Sequence, residues 1–352
     1  MRGGDPVRWT GERTNAVIRR IKATQWEEPV LEPQIVPRFR GAFVALTIAA
    51  ISILPLGASS SALAQEKTKI RAAYVPVATW LPLWVAKDMG VFEKNGLDVS
   101  LTSFPILALL PPTVGKQFDL APTTAPDLLN AVASGLKLVA VAGGTVELSS
   151  NQSYQVIVRP DSGINSPKDL NGKRIGTSAI ASVMHVADLH WLKANGADPA
   201  SIIPVEVPFT SMMDQLKAGR VDAVEDLQPF VGQMLAAGYK SLGDPLLSVG
   251  DPVLFPFWMA ETSWANANRD VIKKWIASLE EGLAMIRSDD KMAREVLAKY
   301  TGLPAPIVAR IPYPAYQFSI NPGQLAVWKD VLVSQGKPVK NVDVETLVVT
   351  AD

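Results

Sequence analysis

The chain of 352 residues carries 34 Lys and Arg against 34 Asp and Glu, contains no cysteine and is 48% hydrophobic. The missing cysteine excludes disulfides, thiol catalysis and cysteine-ligated metals, and the balanced charge leaves no electrostatic footprint for nucleic acid or an acidic membrane. The apolar share suffices for a packed core and argues against disorder, and a length about twice that of an ordinary domain makes two lobes the starting expectation.

Residues 1–40 are rich in Arg, Pro and Trp and show no sustained period. After Arg38 and Arg40, the apolar run GAFVALTIAAISILPLGA leads into the small-residue stretch ASSSALA and a polar QEKTK. That layout predicts a secretory signal peptide cleaved after Ala64, because an apolar run of roughly 15 residues is short for a bilayer span of about 20. Residues 1–64 hold 8 basic and 5 acidic residues, so the remaining 288 carry 26 and 29, a net of −3. With no cysteine to carry a lipid anchor, the exported chain is expected free in a periplasm.

From Lys69 the pattern alternates strand and helix: KIRAAYV, LPLWVAKDMGVFEKNG, LDVSLTS, a short helix, FDLAPT, PDLLNAVASG and LKLVAVAG. The helical pieces stop at Gly90, Gly96 and Gly135, where a left-handed cap needs no β-carbon. Such alternation predicts a mostly parallel sheet flanked by helices. The Pro-, Gly-, Asn- and Ser-rich interlude IVRPDSGINSPKDLNGKRIGT, residues 157–177, interrupts it, and a second unit then begins: SAIASVMHVADLHWLKANG, IIPVEV, SMMDQLKAG, RVDAVED and PFVGQMLAAG. Beyond Asp251, VLFPFWMAE leads to helices at about 266–288, 290–300 and 322–336, too poor in strands for a third sheet. The expected fold is therefore α/β, a two-lobed clamp with a hinge of two crossing strands. Residues 65–153 and 252–352 form lobe 1, residues 154–251 form lobe 2, and a cleft between them suits a small ligand.

No nucleophile elbow, zinc-protease, phosphate-loop or dinucleotide motif is present. His185 and His190, five residues apart on a helix, point about 140° away from each other and form no metal pair; no cofactor is implied. Ligand chemistry is better sought in the loops after strand C-termini. In PVATWLP, Thr79 offers a hydrogen bond and Trp80 a flat apolar wall, unless Trp80 is core. In APTTAPD, Thr123 and Thr124 precede a helix N-terminus suited to an anion, or Thr124 simply caps it. TSAIAS, with Ser178, Ala179 and Ser182, repeats that geometry, and His185 on the following helix either faces the ligand or lies on the helix surface. VEDLQPF brings Glu225 and Gln228, where a carboxylate would suit an amine or an amino-substituted ring. Phe255, Phe257 and Trp258 in LFPFWM read as core first.

In their order, YVPVATWLPLWVAKDMGVFEKNGLDVSL, FDLAPTTAPDLLNAVASGLKLVAVAG, the interlude and LKAGRVDAVEDLQPF resemble the periplasmic solute-binding proteins of the sulfonate, nitrate, taurine and thiamine-precursor class of ABC importers. The resemblance covers roughly residues 70–260. It implies a soluble receptor that closes on a small solute and presents it to a permease in the inner membrane; the charge balance predicts no nucleic-acid partner, and a clamp that opens and closes is expected to work as a monomer. The family's ligand loops fall on Trp80, on Thr123 and Thr124, on Ser178 to Ser182, and on the segment ending at Gln228 and Pro229. Many members end that segment in Asp-Pro; Leu227, Gln228 and Pro229 stand here, and Ala181 and Val183 replace part of a hydroxyl cluster. These departures disfavour a taurine-like zwitterion and a small polar anion. An aromatic or alkyl sulfonate or carboxylate becomes the expected solute, with a nitrogen heterocycle held by Glu225 as the alternative. An enzyme on the same fold is a further, disfavoured reading.

Overall fold

Residues 66–350 are described by a computed structural model; the expected signal peptide lies outside them. In chain order, β1 (Thr68–Tyr74), α1 (Leu81–Asp88), α2 (Val91–Lys94), β2 (Leu97–Ser103), β3 (Ala121–Thr123), α3 (Ala125–Ala133), β4 (Leu138–Ala142) and β5 (Thr145–Glu147) come first. Then follow β6 (Tyr154–Val158), β7 (Arg174–Thr177), α4 (Val183–Ala194), β8 (Ile203–Glu206), α5 (Phe209–Lys217), β9 (Ala223–Leu227), α6 (Phe230–Ala236) and β10 (Lys240–Gly243). The last block contains β11 (Val253–Leu254), β12 (Phe257–Glu261), α7 (Thr262–Ala267), α8 (Arg269–Ser288), α9 (Asp290–Thr301), α10 (Ala305–Val308), β13 (Ala315–Tyr316) and α11 (Pro322–Ser334).

β1 and β2 pair in parallel, and Ala73 N donates to Leu120 O at 3.1 Å, which brings β3 alongside β1. β12 then lies between β3 and β4, antiparallel to both. Read across, the order is β2-β1-β3-β12-β4. The second sheet repeats it as β8-β7-β9-β6-β10, with β6 antiparallel to β9 and β10. Each sheet therefore receives one antiparallel strand next to a crossing: β6 follows the first and β12 follows the second. A small sheet, β11-β5-β13, ties the segments at these crossings together.

Local sequence explains the elements. The run LVAVA of β4 is buried at every residue, as expected of a strand covered on both faces. α8 buries Val271, Ile272, Trp275, Ser278, Leu279, Gly282 and Ile286, one helical stripe, and Gly282 lets α1 approach closely, since a β-carbon there would sit 2.4 Å from Pro82 O. The interlude is an ordered turn. Ser166 and Asp169 form a capping box over Pro167–Leu170, while Ile164 and Leu170 anchor the turn in the core of the second sheet.

α4 belongs to both halves. Val183, Met184, Val186 and Ala187 share a cluster with Leu128 of α3 and Trp328 of α11, whereas Trp191 and Leu192 pack under the second sheet. Gln335 Nε2 also donates to Val186 O at 2.8 Å. Among the described residues no helix is long and apolar enough to cross a membrane.

Candidate functional site

A cavity of about 650 Å³ opens where the strand-to-helix loops of the two sheets meet, within the range of small-molecule sites. Its wall contains Thr79, Trp80, Thr124, Ser178, Ala179, Ser182 and Gln228. Two of these are hydroxyl caps: Thr124 accepts from Asp127 N and Ser182 accepts from His185 N. A hydroxyl cap in the loop that follows a strand sets a helix N-terminus at the strand's C-terminal edge, which is how α3 and α4 reach the cavity.

Trp80 reaches the wall but is mainly core. It is 2% exposed, and its ring meets Trp258 edge to face at 4.8 Å, with Trp275 behind at 5.0 Å from Trp258. Phe257 and Trp258 are buried as the core reading expects, and Phe255 reaches the cavity.

Three expected residues lie away from the wall. Thr123 is fully buried in β3, paired with Phe257, and its hydroxyl turns to Thr124 O at 3.4 Å. His185 folds back on its own helix, where Nδ1 accepts from Ala181 N at 2.9 Å; burial and nearby Lys337 hold its pKa below the usual imidazole value. Glu225 sits one layer behind the cavity, completely buried. It accepts from the Thr177 hydroxyl, from Ser178 N at 3.0 Å and from the Tyr154 hydroxyl at 3.3 Å. Those donors hold its carboxylate in place, so no oxygen is presented to a solute.

The acids that do line the cavity are Asp127, Glu147 and Glu206. Asp127 stands in the first turn of α3, where the Thr124 hydroxyl donates to Oδ2 at 2.7 Å, and burial pushes its carboxyl up to about 6. The positive end of α3 thus already has an anion of its own. Glu147 is 2% exposed and accepts from the Ser153 hydroxyl at 2.6 Å and from Ser153 N, and Glu206 accepts from Ile180 N at 3.0 Å. Among the described residues no Lys, Arg or His lines the cavity, and no group of three or more His, Cys, Asp or Glu is placed to hold a metal ion.

Thr145, Asn151, Ser153, Thr210 and Thr301 add polar atoms, and most of the remaining wall is apolar, including Ile106 and Leu107 after β2, Phe209 and Phe230 at the starts of α5 and α6, and Leu297, Leu303 and Ile311 from the α9–β13 segment. Sequence reasoning missed this last group and Asp127. Asp127 had a local signal, an acid three residues after a hydroxyl cap. The α9–β13 contribution had none, because only tertiary packing brings it over the cleft.

Two sheets of matching strand order, joined by two crossings with a cavity between their loops, define a two-lobed clamp of the periplasmic-binding-protein type. The periplasmic aliphatic sulphonate binding protein of Escherichia coli has the same fold, with a TM-score of 0.67 and 24% identity over 80% of this chain and 92% of that one. The chain belongs to the NMT1/THI5 like family, whose profile matches residues 78–293. A Haemophilus influenzae protein assigned to thiamine biosynthesis is 33% identical over 163 residues, 46% of this chain and 50% of that relative, so the chain spans about half its length. A Brachyspira hyodysenteriae protein assigned as an ABC transporter periplasmic binding protein is 24% identical over 261 residues, 70% of this chain and 72% of that relative.

Proposed function

We propose that this chain is the substrate-binding component of an ABC importer and captures a largely apolar solute that is neutral or cationic, with an amino-substituted nitrogen heterocycle as the best match. The charge of the cavity wall carries this reading: three carboxyls and no basic side chain among the described residues. A sulfonate or carboxylate entering this apolar site would lose its hydration without gaining a cation, a cost of several kcal/mol. An aminopyrimidine would instead stack its ring on Phe209, Phe230 or Phe255 and donate its amino hydrogens to Asp127. The relative assigned to thiamine biosynthesis points the same way. In this reading residues 65–153 with 252–352 close on residues 154–251, the chain acts as a periplasmic monomer, and the loaded clamp delivers its solute to an inner-membrane permease.

A second reading, an aromatic or alkyl acid, draws on the N-terminus of α4, where Ser182, Val183 and Met184 line the cavity, and on the sulphonate-binding protein of like fold. Calorimetric titration and thermal shift with aminopyrimidines, alkanesulfonates, nitrate and benzoate decide between them. Ligand at one hundred times its Kd stabilises the folded chain by about 2.7 kcal/mol. A shift with aminopyrimidines alone supports the first reading; a shift with alkanesulfonates or benzoate alone replaces it with the second.

A further inference from the structure

Directly behind the cavity, four buried acidic groups meet: Tyr154, Asp188, Glu225 and Asp244. Asp188 of α4 is 2% exposed and Glu225 of β9 is fully buried, and both carboxyls converge on the Tyr154 hydroxyl. The Tyr154 hydroxyl lies 2.6 Å from Asp188 Oδ1 and 3.3 Å from Glu225 Oε2, and one hydroxyl proton serves one acceptor at a time. Asp244, beyond β10, adds its field to both Tyr154 and Asp188. The nearest imidazole, His185 on the same helix, has its Nδ1 occupied by Ala181 N and is held towards neutrality by burial and by Lys337.

Two carboxyls that converge on one hydroxyl in a dry site resist ionising together, so one keeps its proton well above the usual carboxyl range. The hydrogen bonds decide which one holds the proton. Glu225 accepts from the Thr177 hydroxyl and from Ser178 N, the environment of an anion, even with the Tyr154 proton given to Asp188. Asp188 Oδ1 accepts from Tyr154, while its Oδ2 receives no donor. That arrangement is satisfied when Oδ2 is itself the donor, to Glu225.

We propose that Asp188 and Glu225 share one proton and that this proton positions the cavity loop Ser178–Ser182, through the bonds Glu225 makes to Thr177 and Ser178. When the proton leaves, two carboxylates converge on one hydroxyl and the network opens. Glu225 is the member tied to the loop, so Ser178, Ala179 and Ser182 lose their fixed places on the cavity wall. The proposal relies on the solute reading only for its consequence in binding, and its test needs no solute.

The test is made on the ligand-free full chain by NMR, following the Asp188 carboxyl carbon and the amide exchange of residues 178–182 from roughly pH 5 to 10, with exchange corrected for its intrinsic rate. The expected result is an unionised Asp188 at pH 7, and loop protection that falls about tenfold or more as Asp188 titrates. Asp188→Asn keeps a donor to Glu225 without a charge, and its loop is expected to stay protected across the whole range. An Asp188 ionised at pH 7, or wild-type protection that stays constant up to about pH 10, overturns the proposal. If Asp188→Asn does not fold, the wild-type titration decides alone. An empty solute panel would refute the solute reading and leave this result untouched.

Discussion

Trp80 and Asp127 exchange the roles their residue types suggest. An exposed-looking Trp in a loop after a strand reads as a ligand wall, yet its ring is locked against Trp258 and Trp275. Trp80→Ala is therefore expected to destabilise the chain by about 3–5 kcal/mol, the range for large aromatic truncations in a core. Chemical denaturation measures the loss, and a change below about 1 kcal/mol would make Trp80 a wall residue. Asp127, which the sequence reading passed over, stands in the first turn of α3 and supplies a cavity carboxyl. Asp127→Asn is expected to weaken aminopyrimidine binding about ten- to hundredfold, the worth of one charged hydrogen bond, with the fold retained; calorimetry reads it. Both outcomes have one cause. Local sequence places a residue on a loop, and which side of the loop is buried depends on what packs behind it.

At the scale of elements, strand-to-helix order was legible because it is periodic. The cap hydroxyls Thr124 and Ser182 announced where α3 and α4 start, and both line the cavity. Thr123 and Glu225 were not legible in the same way, since neighbouring strand positions face opposite sides and only the register with the partner strand says which side is covered. The approach of α1 to α8 was equally silent in sequence. Gly282→Ala places a methyl 2.4 Å from Pro82 O, so the helices must separate, at an expected cost of about 1–3 kcal/mol. A melting temperature lowered by roughly 2–4 °C per kcal/mol checks this, and an unchanged value would mean the two helices part freely.

For the whole molecule, the buried acids tie stability to pH. Burial pushes Asp226 up to about 8 and Asp244, which also contacts Glu147, up to about 9. The native chain holds protons that the unfolded chain releases near pH 4, so these groups contribute fully below about pH 4. Their contribution is lost as pH rises through the folded values. Unfolding free energy is therefore expected to fall from pH 6 to pH 9, and Asp244→Asn to flatten that slope by up to about 1.4 kcal/mol per pH unit. Urea titrations across that range give the slope, and an identical slope in the variant would show Asp244 to be ionised in the native chain. The sequence by itself determined the α/β alternation, the interlude that opens the second sheet and the family resemblance, because each resides in short contiguous runs. Tertiary structure decided which strand each sheet takes beside a crossing, which acids face the cavity and which lie behind it, and that the α9–β13 segment helps to wall it. Those depend on contacts between segments up to about two hundred residues apart, and no local periodicity encodes such contacts.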